Sequence, residues 1–193
     1  MRFACGLGLV TVAFLAAPAA PVPKNAKKTN YYPLAVGTKW EYVEGDDVKT
    51  TEVVSEKTEN DARLVSLTYR GEKSPPPTTN RVFRVVGDEI FSQSTETSVA
   101  EKAGLIMKRV IRAGDAWTTE HQWQGGALWT IKHKVGEAKK IKVPAGEYLA
   151  LPVEAENSGL GKETRWYVDG IGFVRKEVEG KVTMELTSYT PGK

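Results

Sequence analysis

Trp117-Thr118-Thr119-Glu120-His121-Gln122-Trp123, then Gln124-Gly125-Gly126-Ala127, then Leu128-Trp129-Thr130-Ile131-Lys132-His133-Lys134-Val135, is the stretch on which the fold turns. Apolar and polar residues alternate with period two on both sides of a double glycine, the pattern of two half-buried strands joined as a hairpin. Register decides which face each side chain joins. A two-residue loop pairs Trp123 with Leu128 and separates the aromatic residues. A three-residue loop, Gly125 to Ala127, pairs Trp123 with Trp129 and is the register we expect, with a left-handed glycine near the loop's end. It gathers Trp117, Thr119, His121, Trp123, Trp129, Ile131, His133 and Val135 on one face and leaves Glu120, Gln122, Lys132 and Lys134 on the other. It also sets His121 and His133 nearly opposite one another.

The same alternation recurs at Leu64-Val65-Ser66-Leu67-Thr68-Tyr69, and turn signals follow at short intervals: Gly45-Asp46, Gly71 through Pro77, Gly87-Asp88, Pro144-Ala145-Gly146, Asp169-Gly170 and Glu179-Gly180. Short strands with such punctuation build antiparallel sheets rather than βαβ units. The fold class is therefore all-β, a curved antiparallel sheet or incomplete β-barrel with at most one short helix. Only Ser98 to Ile111 has room for helix, through the spacing of Val99, Ala103, Ile106, Val110 and Ala113, although Gly104 interrupts it and Leu105 to Met107 read equally as strand.

Working outward to the N-terminus, Arg2 precedes an uncharged, mostly apolar run from Phe3 to Ala17. The run is short of the ~20 residues that cross a bilayer, and Ala17 and Ala19 have the A-x-A spacing of a signal-peptidase site. Residues 1–19 read as a signal peptide cleaved after Ala19, residues 20–30 as a flexible linker around Pro21 and Pro23, and residues 31–190 as a single antiparallel β domain. The protein is then exported, periplasmic or secreted, with no transmembrane segment after cleavage. Cys5, the chain's one cysteine, leaves with the signal and has no lipobox before it. The mature chain has neither disulfide nor thiolate chemistry, and its stability must come from the core.

The chain has 27 Lys and Arg against 24 Asp and Glu, with the signs interspersed. Nucleic-acid binding needs a basic face that neutralises several phosphates. Lys24, Lys27 and Lys28, and Lys139, Lys140 and Lys142, read instead as solvated surface, so no nucleic-acid partner is expected.

Two segments repeat a pattern of apolar residue, glycine and tryptophan. Leu34-Ala35-Val36-Gly37-Thr38-Lys39-Trp40 and Ile111-Arg112-Ala113-Gly114-Asp115-Ala116-Trp117 each place an apolar anchor before a glycine turn and a tryptophan at the start of a strand. Glycine lets the chain reverse and the ring plugs one end of the core.

Tyr31-Tyr32-Pro33-Leu34 with Gly37 and Trp40, Ala113-Gly114-Asp115-Ala116-Trp117, Val143-Pro144-Ala145-Gly146-Glu147-Tyr148, and Trp166-Tyr167-Val168-Asp169-Gly170-Ile171-Gly172-Phe173-Val174-Arg175 follow in an order that resembles a family of secreted bacterial proteins of unknown function. They are similar to domains of exported or lipid-anchored proteins in the DUF3108-like group. The resemblance covers nearly all of the chain after the leader. It implies a curved antiparallel sheet or incomplete barrel and brings no catalytic residue with it.

Candidate chemistry is sparse. His121 and His133 are the only histidines. A metal would need a third ligand, while Glu120 points to the other face and Asp115 lies in a turn, so no metal and no cofactor is expected. Ser158 lies in a loop without the strand-to-helix elbow of an esterase. Glu154 and Glu156 share a strand face in the manner of any solvent-facing alternation. Gly159-Leu160-Gly161-Lys162 is too short for a phosphate loop. No catalytic constellation emerges, and the chain reads as a non-enzyme.

The remaining signal is aromatic. Trp40, Tyr42, Trp117, Trp123, Trp129 and Trp166, with His121 and His133, are the candidate ligand-binding residues, lining a concave face for an apolar small molecule or lipid. Filling the interior is the competing role for the same rings, and the more economical one in a cysteine-free domain. Three functions follow: a non-enzymatic exported β-domain binding an apolar ligand or an envelope protein partner through its concave face or an open edge strand, a small periplasmic hydrolase using His121 or His133, and a structural module of the envelope.

Overall fold

A computed structural model describes residues 29–73, 79–95, 98–157 and 161–193. The segment expected to be a signal peptide, most of the expected linker and Ser158 lie outside the described residues. Fourteen strands make up one antiparallel sheet: β1 (Lys39–Glu44), β2 (Asp47–Glu59), β3 (Ala62–Gly71), β4 (Thr79–Val86), β5 (Glu89–Thr95), β6 (Ala100–Lys102), β7 (Leu105–Lys108), β8 (Ala116–Trp123), β9 (Leu128–Val135), β10 (Lys139–Val143), β11 (Gly146–Asn157), β12 (Gly161–Val168), β13 (Gly172–Val178) and β14 (Lys181–Thr190). The spatial order is β6-β8-β9-β11-β12-β13-β14-β1-β2-β3-β4-β5-β7, with β10 beside the first half of β11. The expected all-β architecture is present, and no helix occurs among the described residues.

Turn chemistry pins the register of successive strands. Gly45-Asp46, Asn60-Asp61, Gly87-Asp88, Pro144-Ala145 and Glu179-Gly180 are two-residue loops, read from the pairs that flank them. Asn60 and Asp61 both have positive φ, 48° and 60°, as do Glu179 and Gly180 at 49° and 74°. Two left-handed residues in succession match the right-handed twist of the strands they join. The core strings together alternate strand positions such as Val65 and Leu67 on β3 and Phe83 and Val85 on β4, all buried.

The repeated segments adopt the same structure twice. Gly37 and Gly114 have φ of 84° and 88°. The Gly37 amide donates to the Val53 carbonyl and the Val53 amide to Thr38, just as Gly114 donates to Val135 and Val135 to Asp115. Leu34 and Ile111 anchor the two turns in the core, and Trp40 and Trp117 are both buried.

Of the two alternatives for Ser98 to Ile111 the strand is the one formed, as β6 and β7, because each end of the segment finds an open strand edge to pair with: β6 on β8 and β7 on β5. One expectation is corrected. The β8–β9 hairpin is offset by two residues from the expected register. His121 pairs with Trp129, His133 with Trp117 and Gln122 with Leu128. The faces are as expected, since a shift of two preserves them, but the histidines move apart along the hairpin. Gly125, at φ 73°, supplies the left-handed residue, and Gly126 donates its amide back to Trp123.

The sheet is open, yet it curls until its two ends meet. β6 and β7 are terminal strands at opposite ends of the pairing order and are joined by Ala103 and Gly104 alone. At the other termini, Asn30 accepts from Gly170 and its amide donates to Asp169, while Gly192 and Lys193 donate to Thr38 and Val36.

Candidate functional site

The curl leaves a cavity of about 810 Å³. Its wall runs from β12 through β13, β14, β1, β2, β3, β4 and β5 to β7, and β8 to β11 contribute nothing to it. Trp40, Tyr42, Phe83, Phe173, Ile106 and Met184 supply apolar surface. Their rings form a continuous chain with two tyrosines: Phe83 lies 6.2 Å from Tyr32, Tyr32 6.4 Å from Tyr167, Tyr167 6.0 Å from Phe173 and Phe173 5.2 Å from Tyr42.

Three arginines border this wall, Arg70, Arg81 and Arg165; Arg81 and Arg165 belong to the strand face that carries the rings, and Arg70 alternates to the other face of β3. Arg81 lies 5.0 Å from the centre of the Tyr69 ring, and among the described residues it has no carboxylate partner. Arg165 pairs with Glu163. Burial works against the charge on Arg165, but the Tyr167 hydroxyl and Glu163 outweigh it and hold the guanidinium protonated. Its side chain lines the cavity and is 52% exposed. Lys176, also at the rim, pairs with Glu44 at 3.3 Å, and Lys49 pairs with Asp47.

Six of the seven tyrosines divide into two groups. Tyr42, Tyr148 and Tyr189 donate to the carbonyls of Phe173, Ala145 and Gly170. Tyr32 and Tyr69 instead hydrogen-bond to each other, and Tyr167 to Arg165. Burial raises all three phenols, most strongly Tyr32, and Arg81 and Arg165 partly offset that rise in Tyr32 and Tyr69. All three remain protonated donors at neutral pH.

Of the eight residues singled out in the sequence, the cavity is lined by Trp40 and Tyr42. Trp117 is buried and stacked on His133 at 4.8 Å, and Trp166 is buried elsewhere in the core. Trp123 packs edge-on to His121 at 4.3 Å, and Trp129 is an exposed residue of the hairpin. The residues of β8 and β9 lie outside the cavity lining, and Trp166, though on β12 between the lining residues Arg165 and Tyr167, does not line it. Glu154 and Glu156 are exposed opposite Lys134 and Lys132. No group of three potential metal ligands exists among the described residues.

Sequence reading missed Arg81, Arg165, Tyr32, Tyr69 and Tyr167 as a group. A signal was present for two of them. Arg81 is in phase with the buried Phe83 and Val85, and Tyr69 with Val65 and Leu67, so each belongs to the inner face of its strand. A charge in phase with a core face marks an interior that is not completely apolar.

The histidines instead hold the seam where the sheet ends meet. The Thr119 hydroxyl donates to the Leu105 carbonyl and lies 2.9 Å from His133 Nε2. A carbonyl can only accept, so Thr119 spends its proton there and accepts from the Nε2–H of His133. Two residues along, the Gly104 amide donates to His121 Nδ1 at 3.3 Å. A hydrolase would need His133 to take the hydroxyl proton, and this bond runs the other way, from a threonine that is 2% exposed.

Burial, with Arg165 adding to it, pushes His133 down to about 4, and burial lowers His121 as well. The folded state therefore binds fewer protons than the unfolded chain between pH 6.5 and 4, so stability is retained above pH 6.5 and falls through that window as pH falls. The His133 shift corresponds to roughly 2 kcal/mol once its solvent contact is discounted. Urea melts from pH 7 to 4.5 should show this decline, and His133→Gln, which keeps a donor and cannot titrate, should flatten it. An equally steep decline in the variant would remove His133 from the account.

No family model matches the chain, and no curated protein does. Two solved structures share its fold. A candidate lipoprotein from Parabacteroides distasonis is 14% identical with a TM-score of 0.52, covering 84% of this chain and 99% of its own. A candidate exported protein with a YmcC-like fold from Bacteroides fragilis is 11% identical with a TM-score of 0.50, covering 84% of this chain and all of its own. At these identities the likeness extends to the fold.

Proposed function

We propose that this protein is an exported, non-enzymatic β-domain that holds an apolar or lipid-like ligand in the interior of its curled sheet. The observation that carries the reading is the cavity of about 810 Å³ walled by aromatic side chains, within the range of small-molecule sites. The concavity opens to water and leaves its rings uncovered, an arrangement suited to a small-molecule site. Export draws support from the N-terminal signal pattern and from two structural neighbours described as a candidate lipoprotein and a candidate exported protein. Kinship with the DUF3108-like group belongs to the same proposal.

The interior is a better candidate than the edge. The outer edge of β10 carries Lys139, Lys140 and Lys142, all exposed, a pattern that discourages strand addition by another protein.

Native mass spectrometry of the protein purified gently from its own exported fraction tests the reading. The expected result is a chain beginning at Ala20 with a stoichiometric apolar adduct that organic solvent removes. A clean apo mass, together with unchanged tryptophan fluorescence on titration with fatty acid, phospholipid and a hydrophobic dye, would overturn it.

A further inference from the structure

The cavity has chemistry that a purely apolar ligand would leave unused. Arg81 and Arg165 line the same cavity as Tyr32, Tyr69 and Tyr167, with Arg81 5.0 Å from the centre of the Tyr69 ring and Arg165 hydrogen-bonded to Tyr167. Both guanidiniums are exposed to water at the mouth of the concavity, so their charge is available to a ligand rather than locked in a buried pair. Glu163 partners Arg165, while the nearest favourable contact of Arg81 is the face of Tyr69. Glu44, at the rim, is engaged with Lys176. The pole of the cavity at Arg81 and Arg165 thus has an excess of positive charge and protonated phenols, all hydrogen-bond donors. The rest of the wall, from Phe83 to Phe173 and Tyr42, offers rings and Met184.

We propose that the cavity binds an amphipathic anion, a single apolar chain ending in an oxyanion, with the oxyanion between Arg81 and Arg165 and the chain along the aromatic wall. This rests on the reading of the cavity as a ligand site and assigns the ligand's chemical class. A guanidinium fork presents parallel N–H donors to two oxygens, and phenols complete the set, so carboxylate and phosphate are both matched. The shared chemistry has two sources, a free fatty acid and a chain bearing a phosphate.

The test uses four probes of one chain length, each below its micellar concentration: dodecanoate, dodecyl phosphate, dodecanol and dodecyltrimethylammonium. Binding is followed by calorimetry and by Trp40-dependent fluorescence. One or both anions should bind at least about 10-fold more tightly than dodecanol, the factor expected from charge-assisted hydrogen bonds, and the cation should bind worst. Dodecanoate ahead of dodecyl phosphate assigns the carboxylate source, and the reverse assigns the phosphate. Arg81→Gln and Arg165→Gln should each lower anion affinity about 10-fold while dodecanol affinity is unchanged, which also shows that the cavity is intact. Arg81→Lys should retain part of the preference, since charge remains but the fork is lost. Equal affinity for dodecanol and the anions would overturn the anionic assignment and leave the apolar site standing. Absence of binding by all four probes would overturn both.

Discussion

Replacing Trp40 with alanine is expected to lower the unfolding free energy by about 3–5 kcal/mol, the range for deleting a large buried aromatic side chain. Trp40 is 4% exposed, and its indole N–H donates to the Ile171 carbonyl at 2.6 Å. It ties the first strand to the turn between β12 and β13, contacts a sequence position 131 residues away and closes the wall of the cavity. The variant would lose packing and leave a buried carbonyl unpaired. For a domain of this size the melting temperature should fall by about 10 °C. Trp40→Phe separates the two contributions by restoring much of the ring and not the donor. Trp117, its counterpart in the repeated segment, has no hydrogen-bond partner for its indole nitrogen among the described residues, so Trp117→Phe should cost less than Trp40→Phe. Denaturant melts of the pair measure the difference directly, and equal costs would mean that the Ile171 bond contributes nothing. Trp129→Ala, at an exposed position, should change stability little.

Gly104→Ala should destabilise by about 1–3 kcal/mol, although it adds a single methyl group. A Cβ there would sit 2.7 Å from Thr119 Cγ2, 2.9 Å from His121 Cβ and 3.0 Å from the Glu120 carbonyl oxygen. None of these atoms is the far end of a flexible side chain, and Thr119 is fully engaged between His133 and Leu105. The strain therefore falls on the seam between β7 and β8, where side-chain bonds stand in for a ladder. Hydrogen exchange should show the loss concentrated in β7 and β8, with the β2–β3 hairpin changing only with global stability. Uniform loss of protection, or none, would contradict a local role for Gly104.

The seam explains the acid sensitivity expected of the histidines. His121 accepts at Nδ1 from Gly104, so a proton arriving on Nδ1 would displace that bond. Protonation of His133 puts a second cation near Arg165. Both events load the same junction, where the sheet ends have few other bonds. The histidines invite a catalytic reading by being the only two in the chain; their surroundings give them a structural one.

Local signals in the chain specified a great deal. Alternation at Leu64–Tyr69 and Trp117–Trp123 identifies strands because side chains on a pleated backbone must alternate. Gly45-Asp46, Gly87-Asp88 and Glu179-Gly180 locate hairpins because only certain residues take positive φ without strain. The Gly37 and Gly114 repeats proved to share hydrogen bonds as well as residues. Asn60-Asp61, a turn as sharp as the others, was overlooked because neither residue is glycine.

The tertiary structure alone decided the rest, since it depends on which strands meet. The pairing of β1 with β14 joins Trp40 to Tyr189, and the pairing of β12 with β13 brings Tyr167 to Phe173. The curl of the sheet then brings Arg81 of β4 and Arg165 of β12 to one cavity from strands far apart in the pairing order. Period-two alternation tells which face a residue joins, but it is blind to what lies across the interior from it. That is why the aromatic strand face of β8 and β9 was legible as a face while the charged pole of the cavity became visible only once the sheet had curled.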